Sequence, residues 1–286
     1  MKTFLDCLPC MLSQALRAGR IATNDEQTIK ELLDSVGAMI KDIPLENTPP
    51  ETGELIYREV SKITGVADPY KKIKEENIKE ALELYPELKE TIRKSDNKLL
   101  TAIRIAIAGN VIDFGVGKDF NIAEDIKKAL YQDFGILHFN EFVEHLEKAK
   151  TILYLGDNAG ESVFDKILIE ELNKPVTYVV RNIPVINDVT YEDAVASGID
   201  EVAEIISSGS SAPAVIPKLC SDDFLERFKS ADIIISKGQG NYEGLSNVDR
   251  PIFFLLKAKC HVIADDLEVK ENDIILKGIN LKETII

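Results

Sequence analysis

Three short loops of the chain combine carboxylate, amide and lysine side chains directly after apolar runs. They span residues 156–161, 181–188 and 237–243. In open α/β sheets, ligands bind at the carboxyl ends of the strands, so loops that follow parallel strands converge on one edge. We therefore expect a single polar site to be assembled from all three loops.

The residue types in these loops suit a hard cation and a phosphate group. Asp157, Asn158 and Asp188 can each offer one oxygen ligand, and such oxygens favour Mg²⁺ or Mn²⁺ over zinc, which prefers His or Cys. Lys237 can neutralise phosphate charge, and the helix expected to open at Gly160 points free N–H groups into the same space. Together these features predict a site for phosphoryl transfer.

Each loop also has a purely structural interpretation. Asp157-Asn158 could form a turn and a helix cap, and Asn187-Asp188 could cap the next helix. Lys237 could be a solvated lysine in a glycine-rich turn. We favour the functional interpretation because the structural one would have to hold at all three loops. The glycines around residues 156–160 and 238–244 do not match the dinucleotide-binding fingerprint.

The second half of the chain predicts the elements that position these loops. From Lys150 onward, short apolar runs alternate with amphipathic stretches, which indicates a mostly parallel sheet with helices on both faces. The expected fold class is α/β, a doubly wound sheet in three αβα layers. Strands are predicted over residues 151–155, 176–180, 232–236, 251–256 and 261–264, and helices over 161–172 and 224–228.

The first half is expected to be helical. An amphipathic stripe follows the cap candidate Asn24, and Pro86 should divide residues 71–95 into two short helices. Further helices are predicted over residues 51–63, 99–107, 122–134 and 141–146. We thus predict a helical N-terminal region, residues 1–149, packed on an α/β metal- and phosphate-binding domain, residues 150–286, with a shared core.

Composition narrows the classes of partner. The 286 residues carry a net charge of -15, which disfavours nucleic acid and anionic membrane surfaces. No apolar run approaches the length of a membrane span, and the N-terminal residues include an acid and two cysteines where a signal peptide needs an apolar core. We expect a cytoplasmic protein that acts on a small-molecule phosphate ester, and the sequence leaves its oligomeric state open.

Several separated motifs resemble the damage-control phosphatase family. They are GDNAGE at residues 156–161, RNxPxxND at 181–188, KGQGN at 237–241, AGNVIDFG at 108–115 and the pair Lys259-Cys260. The N-terminal Cys7-x-x-Cys10 resembles the CxxC motif that one subfamily carries. The resemblance extends over nearly the whole chain, and the motifs occur in the same order as in the family.

This resemblance implies roles for individual residues. Asp157, Asn158 and Asp188 would hold the metal, with Mn²⁺ expected and Ni²⁺, Co²⁺ or Mg²⁺ as alternatives. Lys259 would bind phosphate, a role for which Lys237 competes. Substrate contacts would come from Glu161, Gln239 and Asn241, and also from Asn110 and Asp113. The implied activity is hydrolysis of phosphate esters that are damaged or in surplus, such as oxidised purine nucleotides, their precursors or sugar phosphates.

Some alternatives stay open at the level of sequence. Asp157 could attack phosphorus itself or orient a water molecule. Cys7 and Cys10 could bind metal, form a redox pair or only pack. Two other functions compete with the phosphatase. One is nucleotide binding without hydrolysis, and the other is a redox or metal protein centred on the CxxC motif.

Overall fold

The chain begins with a series of helices. The computed structural model describes residues 1–111, 128 and 130–281, without the side chains of residues 110 and 111. No helix in this part of the chain is long and apolar enough to cross a bilayer. The first helices are α1 (Cys7–Ala22), α2 (Glu26–Ile40), α3 (Pro49–Thr64), α4 (Lys71–Lys94) and α5 (Lys98–Val111).

The ends of these helices follow from local chemistry. Helix α3 begins with a capping box between Thr48 and Glu51 and ends at Gly65, whose φ of 71° suits the left-handed position. Helix α2 is capped by Asp25, which accepts from the N–H of Thr28, rather than by the predicted Asn24. The capping side chain must lie next to the first helical turn, and Asp25 is one residue closer to it.

The prediction of two short helices around Pro86 is wrong. Helix α4 is continuous over 24 residues with Pro86 inside it. Proline removes one backbone hydrogen bond, but the apolar face of α4, which includes Ile78, Ala81 and Leu88, is buried in the core. Tertiary packing of such a face contributes more to helix stability than local propensity does.

The remaining elements alternate between strands and helices. The strands are β1 (Phe134–Leu137), β2 (Ile152–Leu155), β3 (Val176–Val180), β4 (Glu204–Ser207), β5 (Ile233–Lys237), β6 (Ile252–Lys257) and β7 (Ile274–Ile279). The helices are α6 (Phe139–Lys148), α7 (Ser162–Leu172), α8 (Tyr191–Ala196), α9 (Asp222–Ser230), α10 (Gly238–Leu245) and α11 (His261–Leu267).

The seven strands form one sheet in the order β1-β7-β6-β5-β2-β3-β4. Only the β6–β7 pair is antiparallel, so the predicted doubly wound, mostly parallel sheet is confirmed. The strand predicted over 261–264 is wrong, because these residues lie in helix α11. Part of the helix predicted over 122–134 lies outside the described residues, and Phe134 begins β1 instead.

Side chains of the central strands alternate between two cores. On one face, Tyr154, Tyr178 and Ile235 pack with residues of α4 to α7. On the other face, Leu155 and Ile234 pack with residues of α9, α10 and α11. This period of two follows from the pleat of a strand, and it produces the three layers.

Helices α1, α2 and α3 have a core of their own. Met11, Leu32, Val36 and Ile56 form a separate apolar cluster, whereas α4 and α5 join the core of the sheet. Strand β1, which lies in the first half of the chain, also belongs to the sheet. The change from one core to the other therefore occurs near α4, and α1–α3 form a helical cap over the sheet.

Candidate functional site

The loops after β2 and β3 are joined by backbone hydrogen bonds. Val189 N–H donates to the Asp157 carbonyl at 2.9 Å, and Ala159 N–H donates to the Asn187 carbonyl at 2.8 Å. Asn158 and Asp188 pair across this short antiparallel bridge. The three predicted metal ligands, Asp157, Asn158 and Asp188, are therefore brought together by the backbone itself.

Arg181 forms an ion pair with Asp188 in the protein interior. This fully buried arginine directly follows β3, and its Nε donates to Asp188 Oδ2 at 2.7 Å. Its Nη2 lies 4.0 Å from Asp157 Oδ1 and donates to Asn241 Oδ1 at 3.3 Å. No role for Arg181 was predicted from the sequence, although an arginine directly after a buried apolar strand is itself a signal of an internal ion pair.

The orientation of Asn158 is set by two acids. Its Nδ2 donates to Asp157 Oδ2 at 3.2 Å and to Glu161 Oε2 at 3.3 Å. This network fixes which amide atom is nitrogen, and it turns the carbonyl oxygen Oδ1 away from both carboxylates. Asn158 can therefore act as an oxygen ligand.

Gly238 is required for the position of Asp157. A Cβ at this residue would lie 1.8 Å from Asp157 Oδ2, and the φ of Gly238 is +79°. Both the contact and the backbone conformation exclude other residues. Helix α10 starts at Gly238, so its N-terminal end lies against the Asp157 carboxyl.

A further strained residue lies in the loop before Asp188. Ile186 has a φ of 47°, which is unusual for a β-branched side chain. Such conformations cost on the order of 1–3 kcal/mol and occur where surrounding structure holds them. Ile186 lines the same cavity as Asp157 and Asp188, so the strain lies beside the predicted ligands.

The two aspartates of the site carry raised pKa values. Burial raises the pKa of Asp157 to about 8, with further increases from the charges of Glu161 and Asp188. Burial also raises the pKa of Asp188, although Arg181 acts in the opposite direction. A buried carboxylate with a raised pKa is one whose negative charge lacks full compensation.

Lys237 lies beneath this site. It is fully buried, and its Nζ donates to the Ala106 carbonyl at 2.9 Å, to Asp165 Oδ1 at 2.6 Å and to Glu161. These three acceptors use all the protons of the ammonium group. Burial disfavours the charge of Lys237, but Asp165 and Glu161 outweigh it and raise the pKa of the lysine.

A cavity of about 460 Å³ opens above the carboxylates, between the sheet and the helical cap. On the sheet side it is lined by Asp157, Asn158, Asp188, Gln239 and Lys259, and on the cap side by Cys7, Cys10, Tyr57 and Tyr70. Lys259 is exposed at its rim, whereas Lys237 is not part of its lining. The position of Lys259 thus suits contact with a phosphate better than that of Lys237.

Gln239 and Asn241 have different positions. Gln239 lines the cavity, and its Oε1 accepts the Lys259 backbone N–H at 3.0 Å. Asn241 is fully buried and donates to the carbonyls of Gly156 at 3.1 Å and Lys237 at 2.8 Å. Asn241 therefore joins the ends of β2 and β5 from within the protein.

Other predicted residues are distributed around the site. Glu161 is fully buried between Asn158 and Lys237. Asp113 and the side chain of Asn110 lie outside the described residues. Cys7 and Cys10 line the cavity, and so do Glu243, Cys260 and His261, none of which had an individual role predicted from the sequence.

Comparison with known proteins gives a consistent result. A family model for the damage-control phosphatase ARMT1-like domain matches residues 3–275. A damage-control phosphatase from Pyrococcus horikoshii is 37% identical over 96% of this chain and 97% of its own length. Another from Archaeoglobus fulgidus is 32% identical over 96% and 98%. A crystal structure of a Pyrococcus horikoshii protein is similar with a TM-score of 0.87 and 35% identity, covering 97% of this chain and 99% of that chain.

Proposed function

Because the chain belongs to the ARMT1-like damage-control phosphatase family, we propose that it is a metal-dependent phosphatase that hydrolyses small phosphate monoesters. Family membership itself implies a phosphatase with a role in metabolite repair. The observation that carries the finer proposal is the pairing of buried, incompletely compensated carboxylates with an exposed lysine around one cavity. Asp157 and Asp188 supply the first feature and Lys259 the second.

The donor set fits a hard divalent cation. Asp157 and Asp188 offer carboxylate oxygens and Asn158 offers an amide oxygen, the types that Mn²⁺ and Mg²⁺ accept. The described residues include no group of three His, Cys, Asp or Glu side chains suited to a metal, and the proposed set differs because its third member is an amide. We propose Mn²⁺ as the native ion, with Ni²⁺, Co²⁺ or Mg²⁺ as alternatives.

A bound cation would supply charge stabilisation for the phosphoryl group. The chain's own residues bind and orient that group. Lys259 neutralises phosphate oxygens from the rim, and Gln239 holds the backbone of Lys259 in place. The N-terminal end of α10 adds backbone N–H groups beside Asp157. Lys237 acts indirectly, since it fixes Glu161, which in turn orients Asn158.

Asp157 is the residue closest to the chemistry. Its carboxylate can attack phosphorus and form an aspartyl-phosphate, or it can accept a proton from an attacking water molecule. Either route requires the ionised form, which is disfavoured in the metal-free site because burial raises the pKa to about 8. Trapping with a phosphate mimic such as BeF separates the routes, because an aspartyl adduct forms only with direct attack.

The cavity supports the proposal of a small-molecule substrate. Its volume of about 460 Å³ suits a small molecule, and its walls combine aromatic and polar side chains. Oxidised purine nucleotides, their precursors and sugar phosphates of the cytoplasm are the substrates that we propose to test.

The decisive experiment measures phosphate release from p-nitrophenyl phosphate and a panel of sugar and nucleotide phosphates. Chelated protein is compared with protein given Mn²⁺ or Mg²⁺. We expect metal-dependent turnover that falls by on the order of 10³-fold in Asp157→Ala. Asp96→Ala, an exposed aspartate away from the cavity, is the matched control. If folded wild-type protein released no phosphate with any metal, nucleotide binding without hydrolysis would become the better hypothesis.

A further inference from the structure

Glu243 is a carboxylate of the same cavity that has no role in the site described so far. It lies on α10, one helical turn beyond Gln239, and it lines the cavity. Gly238, at the start of this helix, packs against the Asp157 carboxyl. Five residues of helix rise about 7.5 Å. Asp157 and Glu243 both line the cavity, so a substrate bound in it can reach both carboxyls.

One amide side chain connects Glu243 to the phosphate-binding lysine. Gln239 Nε2 donates to Glu243 Oε1 at 2.9 Å, while Gln239 Oε1 accepts the backbone N–H of Lys259 at 3.0 Å. The Glu243 carboxyl and the Lys259 backbone are thus held at a fixed separation. Both residues line the cavity, so a group held by Lys259 shares this space with the Glu243 carboxyl.

Several ionisable groups share the cavity or the surroundings of Glu243. The amino terminus donates to the Glu243 backbone carbonyl at 2.9 Å, and Lys259, His261 and Cys7 line the same cavity. Burial raises the pKa of Glu243 to about 7, against the effects of the Gln239 hydrogen bond and the amino terminus. The carboxyl therefore carries a proton in a substantial fraction of molecules near neutral pH.

The other acids that line the cavity in the described residues have different partners. Asp157 and Asp188 are the proposed metal ligands, and Asp188 also accepts from Arg181. Asp6 is exposed and lies 3.5 Å from the His261 ring. Glu243 is thus the cavity carboxyl that is left to exchange a proton with a substrate.

We infer that Glu243 is the general acid that protonates the leaving oxygen of the ester, which rests on the phosphatase function proposed above. As the bond from phosphorus to this oxygen breaks, its electron pair passes to the oxygen. The Glu243 carboxyl gives its proton to the same atom, directly or through one water molecule. The carboxylate regains a proton from the water consumed, so ester and water yield alcohol and phosphate.

The test compares two esters whose leaving groups differ in basicity. A p-nitrophenolate departs without a proton, whereas the alkoxide of an alkyl phosphate such as glycerol 3-phosphate needs one. We expect Glu243→Gln, which keeps the acceptor for Gln239, to lower the ratio of kcat/KM for the alkyl ester to that for the aryl ester by about 10²-fold. Glu243→Asp should restore part of this ratio, and Glu226→Gln, on the exposed side of α9, should leave it unchanged.

The pH profile gives a second readout. For the alkyl ester, kcat/KM of the wild type should fall as pH rises through about 7, because the acid loses its proton, and this limb should be absent in Glu243→Gln. An equal loss for both esters, or no loss for either, would overturn the role of Glu243 while leaving the phosphatase intact. Metal-loaded wild type that hydrolyses neither ester would overturn both proposals together.

Discussion

The protein contains two clusters of buried carboxylates. The interior cluster consists of Glu161 and Asp165 with Lys237, and the cavity cluster consists of Asp157 and Asp188 with Arg181. In the interior cluster, Asp165 accepts hydrogen bonds from Lys237 at 2.6 Å and from the hydroxyls of Tyr154 at 2.7 Å and Tyr178 at 2.8 Å.

The cavity cluster is compensated less completely. Asp157 accepts from the Asn158 amide at 3.2 Å and lies 4.0 Å from the Arg181 guanidinium. Burial raises the pKa of Asp165 to about 6 but that of Asp157 to about 8. Burial is the largest cause for both acids, but the next cause for Asp165 is the charge of Lys237, which lowers the pKa, whereas for Asp157 the charges of Glu161 and Asp188 raise it further. The interior cluster is complete within the protein, whereas the cavity cluster suits an additional cation.

The sharpest test of this contrast replaces Lys237 and Lys259 by methionine in two separate variants. Lys237→Met leaves Glu161 and Asp165 without their buried cation, and removing one member of a buried ion pair typically costs about 3–5 kcal/mol. Lys259→Met removes an exposed charge and should change the free energy of unfolding by less than about 0.5 kcal/mol. Denaturant unfolding of both variants measures these values.

The exchange with the smaller effect on stability, Lys259→Met, should have a large effect on activity. Lys259→Met should lower kcat/KM by on the order of 10²-fold, because it removes a charge that faces phosphate. Lys270→Met, another exposed lysine, is the control for Lys259→Met. A Lys259→Met protein with normal activity would show that Lys259 does not bind the phosphate.

The sequence reveals the central strands of the fold better than its edges. Strands β2, β3, β5 and β6 are continuous apolar runs, since both of their faces are covered. The edge strands β1 and β4 are only partly buried and contain no such run. Strand β7 includes Lys277 and Gly278 in its half-buried end, and none of these three strands was predicted.

The candidate site, like the fold, can be predicted from the sequence only in part. The loops with Asp157, Asn158 and Asp188 can be found from the sequence, because polar residues that follow buried strands converge on one edge. The direction of each side chain cannot be found in this way. Lys237 and Arg181 both end or follow a strand, yet both point into the interior. Glu243 and the cysteines line one cavity because α3 packs against α10 and α1 packs against α3, which depends on the whole fold.

The pH dependence of stability sharpens the contrast between the clusters. Asp157, Asp165 and Glu243 have folded pKa values of about 8, 6 and 7, above those of unfolded carboxyls. The folded state therefore binds more protons than the unfolded state, and the stability from these groups is lost as pH rises from about 4 to about 8.

Asp157→Asn should remove the part of this loss that belongs to the cavity cluster. Between pH 5 and about 8, the free energy of unfolding of the metal-free variant should fall by roughly 1–3 kcal/mol less than that of the metal-free wild type. One pKa unit corresponds to about 1.4 kcal/mol. Thermal unfolding of chelated proteins at a series of pH values measures the effect. Identical slopes for the two proteins would contradict the raised pKa of Asp157.

The smallest expected effect concerns the CxxC motif of the cap. Cys7 and Cys10 line the cavity opposite the carboxylates, and burial raises the pKa of the Cys7 thiol, which makes Cys7 a poor nucleophile. We expect the Cys7→Ser/Cys10→Ser variant to retain kcat/KM within about threefold.

Thiol modification should separate the position of these cysteines from any chemistry. A methylthio group is small, so it should leave activity nearly unchanged, whereas a bulky maleimide on either thiol should fill part of the cavity and inhibit. The double serine variant should resist the maleimide more than the wild type, and Cys260→Ser controls for the third thiol that lines the cavity. Inactivity of the double serine variant together with inhibition by methylthiolation would show that the thiols take part in catalysis, and the cap would then supply chemistry as well as walls.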